Sequence, residues 1–578
     1  MPAFAPRRNR AKMNDVSSSI SNPAPSSTSG ASSIDAGERR RVWIVIALLL
    51  LLLALPYAWS ASIAAPGFEY SGLLYNPDDQ NVHLAWARQA RDGQFFFKDP
   101  FTHESLTNQR PLFTNLFSAA MGWISALTRL PLVWVYHGLR LLFAALAMWW
   151  FYRLCSALTD DKRTRLLALL LVAFSGGAGW LQPLLPGRVF IDRPEGSLMM
   201  PEAFTFTSAL IFPLYIASIA LLPFIYWQTL RAQESGNLRY AIGAGLAAML
   251  LANIHTYDVL PLNVVLLLWA LASTRLVRNS NEKRTSAWLA PLIVVAFTLP
   301  PLLYQYFVFK NSEEFRVKAL TQTAAPPFLD IFLSFASLML LAVLGGITLW
   351  RSASHSEQQR RAVLLMSAWA VVTLMFTYAP VSFARKMIEG FHLPLCFLAA
   401  AGLATLLSRI AFASTRKLVA GGVVALLSLS SLQFAAWCLG NAQDNNRARA
   451  NVLMPPLYLA PGDAAALRHL NTAPATRERA VLCLTFLGNY VPRETGRTVY
   501  LGHWAETLHY GEKLGQVTRF FGIGGQGQMT ADQAQTWLRE NRIGIVVIGS
   551  YEQQLGATLP LGLPVLHQES GTTVYAVP

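Results

Sequence analysis

The sequence predicts an α-helical polytopic membrane protein with a small soluble α/β domain at its C-terminal end. Hydrophobic residues make up 53% of the chain and charged residues only 14%, whereas soluble domains carry roughly 25% charged residues. The basic residues stand in short clusters between long apolar runs, for example at 39–41, 162–165 and 409–417. This distribution is typical of the cytoplasmic loops of membrane proteins. After about Gly440 the apolar runs give way to short segments in which apolar and polar residues alternate.

The formal net charge of +15 does not indicate a nucleic-acid partner, because the positive-inside rule accounts for the placement of the basic residues. The four cysteines lie far apart, mostly inside apolar segments, at Cys155, Cys396, Cys438 and Cys483. This spacing predicts neither a zinc site nor a disulfide framework.

Residues 1–41 are rich in Ser, Pro and Ala and are predicted to form a disordered cytoplasmic tail. The first apolar run, Val42–Tyr57, follows too long a polar segment to be a cleaved signal peptide, so we expect a retained anchor that enters from the cytoplasm. Residues 42–440 then form the transmembrane domain, in a bacterial cytoplasmic (inner) membrane. Residues 441–578 form an α/β domain on the exterior, periplasmic face.

About eleven transmembrane helices are expected. The ten that follow the anchor are predicted at Leu132–Leu154, Leu166–Leu185, Phe204–Thr229, Tyr240–Ile254, Val259–Ser273, Trp288–Phe309, Phe328–Trp350, Ala362–Ala379, Phe391–Ser408 and Val419–Leu439.

One further apolar stretch, Pro111–Leu127, breaks this alternation if it spans the membrane. The basic segment Asp160–Arg165 would then lie outside, against the positive-inside rule. We therefore predict that Pro111–Leu127 lies in the outer interface, within a first exterior loop that covers about 66–130.

In the C-terminal domain, alternating patterns predict strands and two periodic segments predict helices. The expected strands are Ala480–Phe486, Thr498–Leu501, Ile543–Ile548 and Thr572–Val577, and the expected helices are Ala505–Phe521 and Ala531–Asn541.

Two adjacent carboxylates, Asp78 and Asp79, follow Pro77 in the first exterior loop. Proline biases the preceding Asn76 to an extended backbone and favours a helix start, where one Asp is a common cap. Capping explains one carboxylate but not two. Acidic groups that follow in the same loop make a site at the membrane surface the stronger interpretation.

The other exterior loops hold further polar groups. Arg385 and Lys386 run against the positive-inside trend, and they either bind an anionic phosphate, together with His392, or pair with Glu389 and lipid headgroups. Two more exterior loops carry three further candidates. His255 and Asp258, three residues apart, either share a metal ion or cap a hairpin, and Glu202 either contacts substrate or begins a helix.

In the C-terminal domain, His503, Trp504 and Glu506 lie between a predicted strand and a predicted helix. An aromatic face beside polar groups suits a carbohydrate, so we expect a substrate-binding role for this loop. The start of a helix with no binding role explains the same residues, and both interpretations stay open.

With these residues in hand, the chain resembles the GT-C class of polytopic membrane glycosyltransferases, which use lipid-linked sugars. The class contains the protein O-mannosyltransferases, the aminoarabinose lipid A transferases and the oligosaccharyltransferases. The likeness covers the layout from about residue 42 onward: an N-terminal helix, a long acidic first loop, interfacial helices, many spans and an exterior C-terminal domain. The chain has Asp78-Asp79 where the protein O-mannosyltransferases have Asp-Glu, and it lacks the Trp-Trp-Asp signature of oligosaccharyltransferases.

The resemblance implies a transferase that moves a sugar from a polyprenyl-phosphate donor to a lipid, glycan or protein acceptor, with inversion. Asp78 or Asp79 then serves as catalytic base, and Arg385 with Lys386 holds the donor phosphate. The class uses a divalent metal ion in some members, so the cofactor stays open. The alternatives are a transporter or flippase of a lipid-linked or anionic substrate, which predicts charges near mid-membrane, and a silent membrane scaffold.

Overall fold

The computed structural model describes residues 34–107, 113–184, 187, 200–276, 281–352, 357–446, 456–473, 478–525 and 527–578. Most of the chain in these ranges is helical. The helices that precede the C-terminal domain are α1 (Ala36–Ser62), α2 (Pro77–Arg91), α3 (Leu116–Thr128), α4 (Leu132–Leu158), α5 (Lys162–Phe174), α6 (Thr205–Ile211), α7 (Pro213–Ser235), α8 (Leu238–Ile254), α9 (Val259–Leu276), α10 (Asn281–Asn311), α11 (Glu313–Leu320), α12 (Phe328–Ser352), α13 (Glu357–Thr377), α14 (His392–Ser408) and α15 (Ala413–Asn446).

Eight helical segments in the described ranges are long and apolar enough to cross a membrane. Six are the helices α1, α4, α7, α10, α12 and α13, and the other two are α9 and α14, each together with the 3₁₀ turn before it (Thr256–Ser273 and Ala384–Ser408). Helix α15 is a ninth candidate, bent by 42° at Ser428. The expected eleven spans also included α5 and α8, which have only 13 and 17 residues. These two helices reach about 20 and 26 Å, less than the roughly 30 Å hydrocarbon core. The chain is a polytopic helical membrane protein, as predicted.

The first helix begins earlier than expected. The Asp35 carboxylate accepts a hydrogen bond from the Glu38 backbone amide at 2.7 Å and so caps α1. Residues 36–41, predicted as the end of a disordered tail, are therefore the first turns of α1. The tail prediction for residues 1–33 falls outside the described residues.

The apolar stretch of the first exterior loop is a short helix, α3. It begins after Asn115, whose side chain accepts the Ser118 backbone amide at 3.0 Å, and it has 13 residues. At about 20 Å it is too short to cross the hydrocarbon core. Its interfacial placement stays a prediction.

The C-terminal domain contains the helices α16 (Pro461–Thr472), α17 (Thr485–Thr495), α18 (Tyr510–Phe521), α19 (Ala531–Glu540) and α20 (Ser550–Gln554), and the strands β3 (Ala480–Leu482), β4 (Ile543–Ile548), β5 (Val565–Glu569) and β6 (Thr572–Ala576). The sheet order is β3-β4-β6-β5, with β3 parallel to the fully buried β4 and the other pairs antiparallel. The expected strand at 498–501 forms only one bridge, Val481 to Val499, and β5, α16 and α17 were not expected.

The C-terminal domain docks directly on the first loop. Strand β1 (Glu69–Tyr70), just after α1, pairs antiparallel with β2 (Tyr458–Leu459). The buried Arg493 guanidinium donates to the Asn81 side chain at 3.0 Å and to the Ser71 carbonyl at 2.8 Å. The first loop and the C-terminal domain therefore lie on the same side of the membrane.

Two glycines allow α12 and α14 to cross in close contact in the transmembrane domain. A Cβ on Gly345 of α12 would clash with the Leu398 carbonyl oxygen, and one on Gly402 of α14 with the Leu341 carbonyl oxygen. Small residues of this kind allow helix backbones to touch within a membrane.

We expect Gly345→Leu to separate α12 from α14 and to destabilise the protein by about 4 kcal/mol. Thermal unfolding of the purified protein in detergent measures this loss. Gly346→Leu is the matched control, because a Cβ there meets no atom within 4 Å. Equal stability of the two variants would contradict the prediction.

Candidate active site

The start of α2 places the two carboxylates of the first loop. Asn76 precedes the helix in the left-handed region, at φ 40°, and not in the extended conformation expected before proline. Asparagine tolerates this region, and the Asn76 amide donates to Asp79 Oδ2 at 2.6 Å, which holds the turn. Asp78 and Asp79 occupy the first helical turn.

Asp79 connects the first loop to the C-terminal domain. His503 Nε2 lies 3.1 Å from Asp79 Oδ1, although the two residues are 424 positions apart in the chain. His503 Nδ1 accepts the Ala505 backbone amide at 3.1 Å, so Nε2 carries the hydrogen that is donated to Asp79. The His503 side chain is 1% exposed and that of Asp79 is 51% exposed, so the histidine fixes a carboxylate that remains open to a ligand.

The two carboxylates differ in acidity. Burial raises the pKa of Asp79, but the hydrogen bond and charge of His503, with Lys386 and Lys318, outweigh burial and hold that pKa well below its usual value. Burial, and then the charge of Asp79, raises the pKa of Asp78 to about 6. Asp79 is thus ionised throughout the physiological range, and Asp78 titrates near its lower end.

His503 responds to the same charges. Burial lowers the pKa of His503, but the hydrogen bond to Asp79 and the nearby carboxylates of Glu506 and Asp78 outweigh burial and raise it. The surrounding carboxylates therefore favour protonation of His503, which donates a hydrogen bond to Asp79.

Cations converge on Asp79 from two loops. Lys318, on α11, pairs with the buried Glu506 and places its ammonium 4.7 Å from the centre of the Trp86 ring. Lys386 lies in the 3₁₀ turn Ala384–Ile388, with its ammonium 4.9 Å from the centre of the Tyr257 ring. We call Asp78, Asp79, His503, Lys318 and Lys386 the Asp79 site.

A second carboxylate group borders the Asp79 site. Arg385 Nε lies 3.5 Å from Glu202 Oε1, and the Glu202 side chain is 2% exposed. Its two carboxylate oxygens have no hydrogen-bond partner among the described residues. Arg385 and Glu202 thus lie together as an ion pair without a hydrogen bond, and the guanidinium keeps donors available.

The two residues proposed as metal ligands also meet. His255 Nδ1 lies 2.9 Å from Asp258 Oδ2 and 3.5 Å from Glu389 Oε2. All three side chains are buried. The sequence predicted Glu389 only as a pairing partner for Arg385 and Lys386, and not as a member of this group.

The other residues predicted to bind substrate or phosphate, His392, Trp504 and Glu506, lie in separate surroundings. Ser175 Oγ and Thr205 Oγ1 each lie 3.0 Å from a ring nitrogen of the buried His392, which leaves neither nitrogen free for a phosphate. Its donor-phosphate role stays a prediction that these contacts do not support. The exposed Trp504 ring stacks beside His503 at 5.9 Å, and Glu506 holds Lys318.

Sequence reasoning missed Lys318 and His83. His83 stands one helical turn after Asp79, 3.3 Å from Ser118 Oγ, and burial lowers its pKa to about 3, so the ring is neutral. Its spacing of four from Asp79 was the available signal. For Lys318 the signal was a lysine in an exterior loop, the same pattern that marked Lys386.

We expect Asp78→Asn to stabilise the protein, by about 2 kcal/mol above pH 6 after allowing for the partial exposure of this carboxylate. The folded-state pKa of Asp78 is raised from 3.8 to about 6, so ionised Asp78 disfavours the folded state, and this cost appears as the pH rises between these two values. Unfolding midpoints at pH 4 and pH 7.5 measure the difference. Asp79→Asn should shift stability the opposite way, since the pKa of Asp79 is lowered. A gain from Asp78→Asn that is equal at both pH values would contradict this account.

No family model matches the sequence, and no curated protein matches it. Solved structures do resemble the chain. The cryo-EM structure of the arabinofuranosyltransferase AftD from mycobacteria has 15% sequence identity and a TM-score of 0.51, and the match covers 95% of this chain and 40% of AftD. A structure of an AftD mutant has 14% identity and a TM-score of 0.51, with 95% and 42% covered. The arabinosyltransferase EmbB from Mycobacterium smegmatis matches at 11% identity and a TM-score of 0.35, with 71% and 41% covered.

The chain therefore has the fold of the GT-C polytopic membrane glycosyltransferases, as the resemblance implied. It spans less than half the length of the AftD structures that it matches.

Proposed function

We propose that this protein is a membrane glycosyltransferase that moves a sugar from a polyprenyl-phosphate donor to an acceptor hydroxyl, on the side of the membrane where the C-terminal domain lies. The observation that carries the proposal is Asp79, a half-exposed carboxylate that a buried histidine fixes and, with two lysines, keeps ionised. The GT-C fold supports the class of reaction. The periplasmic face of a bacterial inner membrane is the location that the basic cytoplasmic clusters favour.

In the proposed reaction the acceptor oxygen attacks the anomeric carbon of the donor sugar. Asp79 takes the proton of the acceptor hydroxyl as the new carbon–oxygen bond forms. The bond between the anomeric carbon and the phosphate oxygen breaks, and polyprenyl phosphate leaves with the bonding electrons. A single displacement of this kind inverts the anomeric configuration, and the donor supplies the free energy without a nucleotide.

The cations hold the leaving phosphate. Lys386 and Lys318 approach Asp79 closely enough to lower its pKa, so a phosphate bound between them lies near the attacking hydroxyl. Arg385 adds a planar donor beside Lys386. These charges stabilise the phosphate as negative charge develops on its oxygen.

The class of enzyme uses a divalent metal ion in some members, and one group in the described part of the chain fits such an ion. His255, Asp258 and Glu389 offer one imidazole and two carboxylates. A metal ion bound there would supply fixed positive charge beside the turn that carries Arg385 and Lys386. The protein's own side chains account for the transfer step.

The transporter alternative predicts charges near the middle of the membrane, and Arg140 within α4 is one. Its guanidinium donates to the carbonyl oxygens of Ala209 at 2.8 Å and Leu53 at 3.1 Å, and the side chain is 1% exposed. Arg140 therefore joins helices and does not line a pathway. Asp79 and Lys318 instead contact the C-terminal domain, through His503 and Glu506, and this placement outside the helix bundle favours an enzyme.

The test is release of free polyprenyl phosphate from synthetic polyprenyl-phosphate sugars by the purified protein in detergent. Because the similar structures are arabinofuranosyltransferases, an arabinofuranosyl donor is tested first, followed by mannose, glucose, galactose, N-acetylglucosamine and aminoarabinose donors. Turnover that is lost in the Asp78→Asn/Asp79→Asn double variant supports the proposal. Asp92→Asn, at the other end of α2, is the matched control and should keep full activity.

If no donor is consumed with cell-envelope acceptors present, the transferase proposal is overturned. Flipping of the same lipids in proteoliposomes then tests the transporter alternative.

A further inference from the structure

His255, Asp258 and Glu389 form a compact buried group beside the Asp79 site. The exposed fractions of their side chains are 5%, 1% and 0%. One ligand atom from each of the three lies within 4.8 Å of the others. His255 and Asp258 flank the short turn between α8 and α9, and Glu389 comes from the loop that precedes α14.

Three of the four carboxylate oxygens of Asp258 and Glu389 lack hydrogen-bond partners among the described residues. These are Asp258 Oδ1 and both carboxylate oxygens of Glu389. A buried carboxylate oxygen without a partner is costly, and two carboxylates close together in the interior need a counter-charge. The Ser218 hydroxyl lies near Glu389, but its hydrogen bond goes to the Leu214 carbonyl at 2.9 Å.

The local cations do not supply the missing partner. Lys386 lies three residues before Glu389, with its ammonium over the Tyr257 ring. Arg385 lies against Glu202, which is itself a buried carboxylate. The two loop cations thus meet other groups, while the carboxylate oxygens of Glu389 stay unbonded.

We propose that His255 Nδ1, Asp258 and Glu389 bind one divalent transition-metal ion, of the zinc or manganese class. Two carboxylates and a neutral imidazole balance the charge of such an ion, and this ligand set is common for it. Ligand atoms about 2.1 Å from a tetrahedral ion lie roughly 3.4 Å from one another. The distance of 3.5 Å from His255 Nδ1 to Glu389 Oε2 is close to that value, and the 2.9 Å contact with Asp258 Oδ2 is a hydrogen bond that the ion would replace.

The ion joins two segments that the chain brings in from far apart. It ties the α8–α9 turn to the loop whose 3₁₀ turn carries Arg385 and Lys386. His255, Asp258 and Glu389 are therefore ligands that position the cations, and they are not themselves in the transfer step. This inference stands on the geometry of the three side chains and does not require the proposed transferase activity.

The test is the metal content of the purified full-length protein, measured by inductively coupled plasma mass spectrometry after dialysis against zinc and then manganese. We expect one bound ion per chain in the wild type and almost none in Asp258→Asn and Glu389→Gln. Glu552→Gln is the matched control, because Glu552 is an equally buried carboxylate in the C-terminal domain that accepts backbone amides. It should keep the full metal content.

A second measurement needs no variant. Chelator-treated wild type is titrated with Co²⁺, and visible d–d bands should rise to a plateau at one equivalent, with an increase in the thermal unfolding midpoint. No bands and no change in the midpoint would overturn the metal site. So would a Glu389→Gln variant that folds and retains its metal. Because these readouts are metal content, absorption and stability, the site and the transferase proposal fail or succeed separately.

Discussion

Asp79→Asn is expected to reduce sugar transfer by about a thousand-fold, within the range that a general base contributes. Asparagine keeps the size of the side chain and its hydrogen bond to His503, but it takes no proton from the acceptor. The initial rate of polyprenyl phosphate release at saturating donor measures the loss.

Asp78→Asn separates the two carboxylates. With Asp79 as the base, this variant keeps most of its activity at pH 7.5, because asparagine resembles the protonated form of Asp78 and leaves the Asp79 carboxylate to take the proton. If Asp78→Asn abolishes transfer while Asp79→Asn retains it, Asp78 is the base. The secondary structure and unfolding midpoint of each variant must stay close to those of the wild type for this comparison to hold.

Lys386→Gln is expected to lower kcat/KM for a polyprenyl-phosphate sugar by about a hundred-fold, the lower end of what the loss of one preorganised electrostatic contact costs. Glutamine keeps much of the side-chain length against the Tyr257 ring but removes the charge. This residue gives a cleaner test than Arg385, whose removal would leave the buried Glu202 without its cation.

A phosphate-binding role has a second signature besides rate. Inhibition by the product, polyprenyl phosphate, should weaken in Lys386→Gln by a factor similar to the loss in kcat/KM, and Lys386→Arg should restore part of both. Lys310→Gln, an exposed lysine at the end of α10, is the matched control and should change neither value. Unchanged product inhibition in Lys386→Gln would remove Lys386 from the phosphate site.

Much of the architecture follows from local pattern. An apolar run long enough to cross a membrane must be helical, because no water is present there to satisfy its backbone groups. The basic clusters predicted which helix ends share a side, and the pairing of β1 with β2 brings the first loop and the C-terminal domain together as expected. The helix start at Pro77 and its two carboxylates could also be predicted from the sequence, because proline and acidic residues favour a first helical turn.

Predictions from the local sequence pattern were wrong where contacts with neighbouring elements determine the structure. Helices α5 and α8 end before they reach the length of a span, and β5 forms because β6 offers it an edge. The left-handed Asn76 is a similar case, since its bond to Asp79 outweighs the bias from proline.

The residue types of the candidate site were determined by the sequence: paired aspartates after Pro77, and cations in an exterior loop where few are expected. Only the tertiary structure decided which residues these groups contact. It brought His503 to Asp79 from the other end of the chain, placed Lys318 over Trp86, and set Glu389 against His255 and Asp258. These contacts join segments whose separation in sequence carries no periodic signal, and they exist because packed helices and a docked domain fix where distant loops meet.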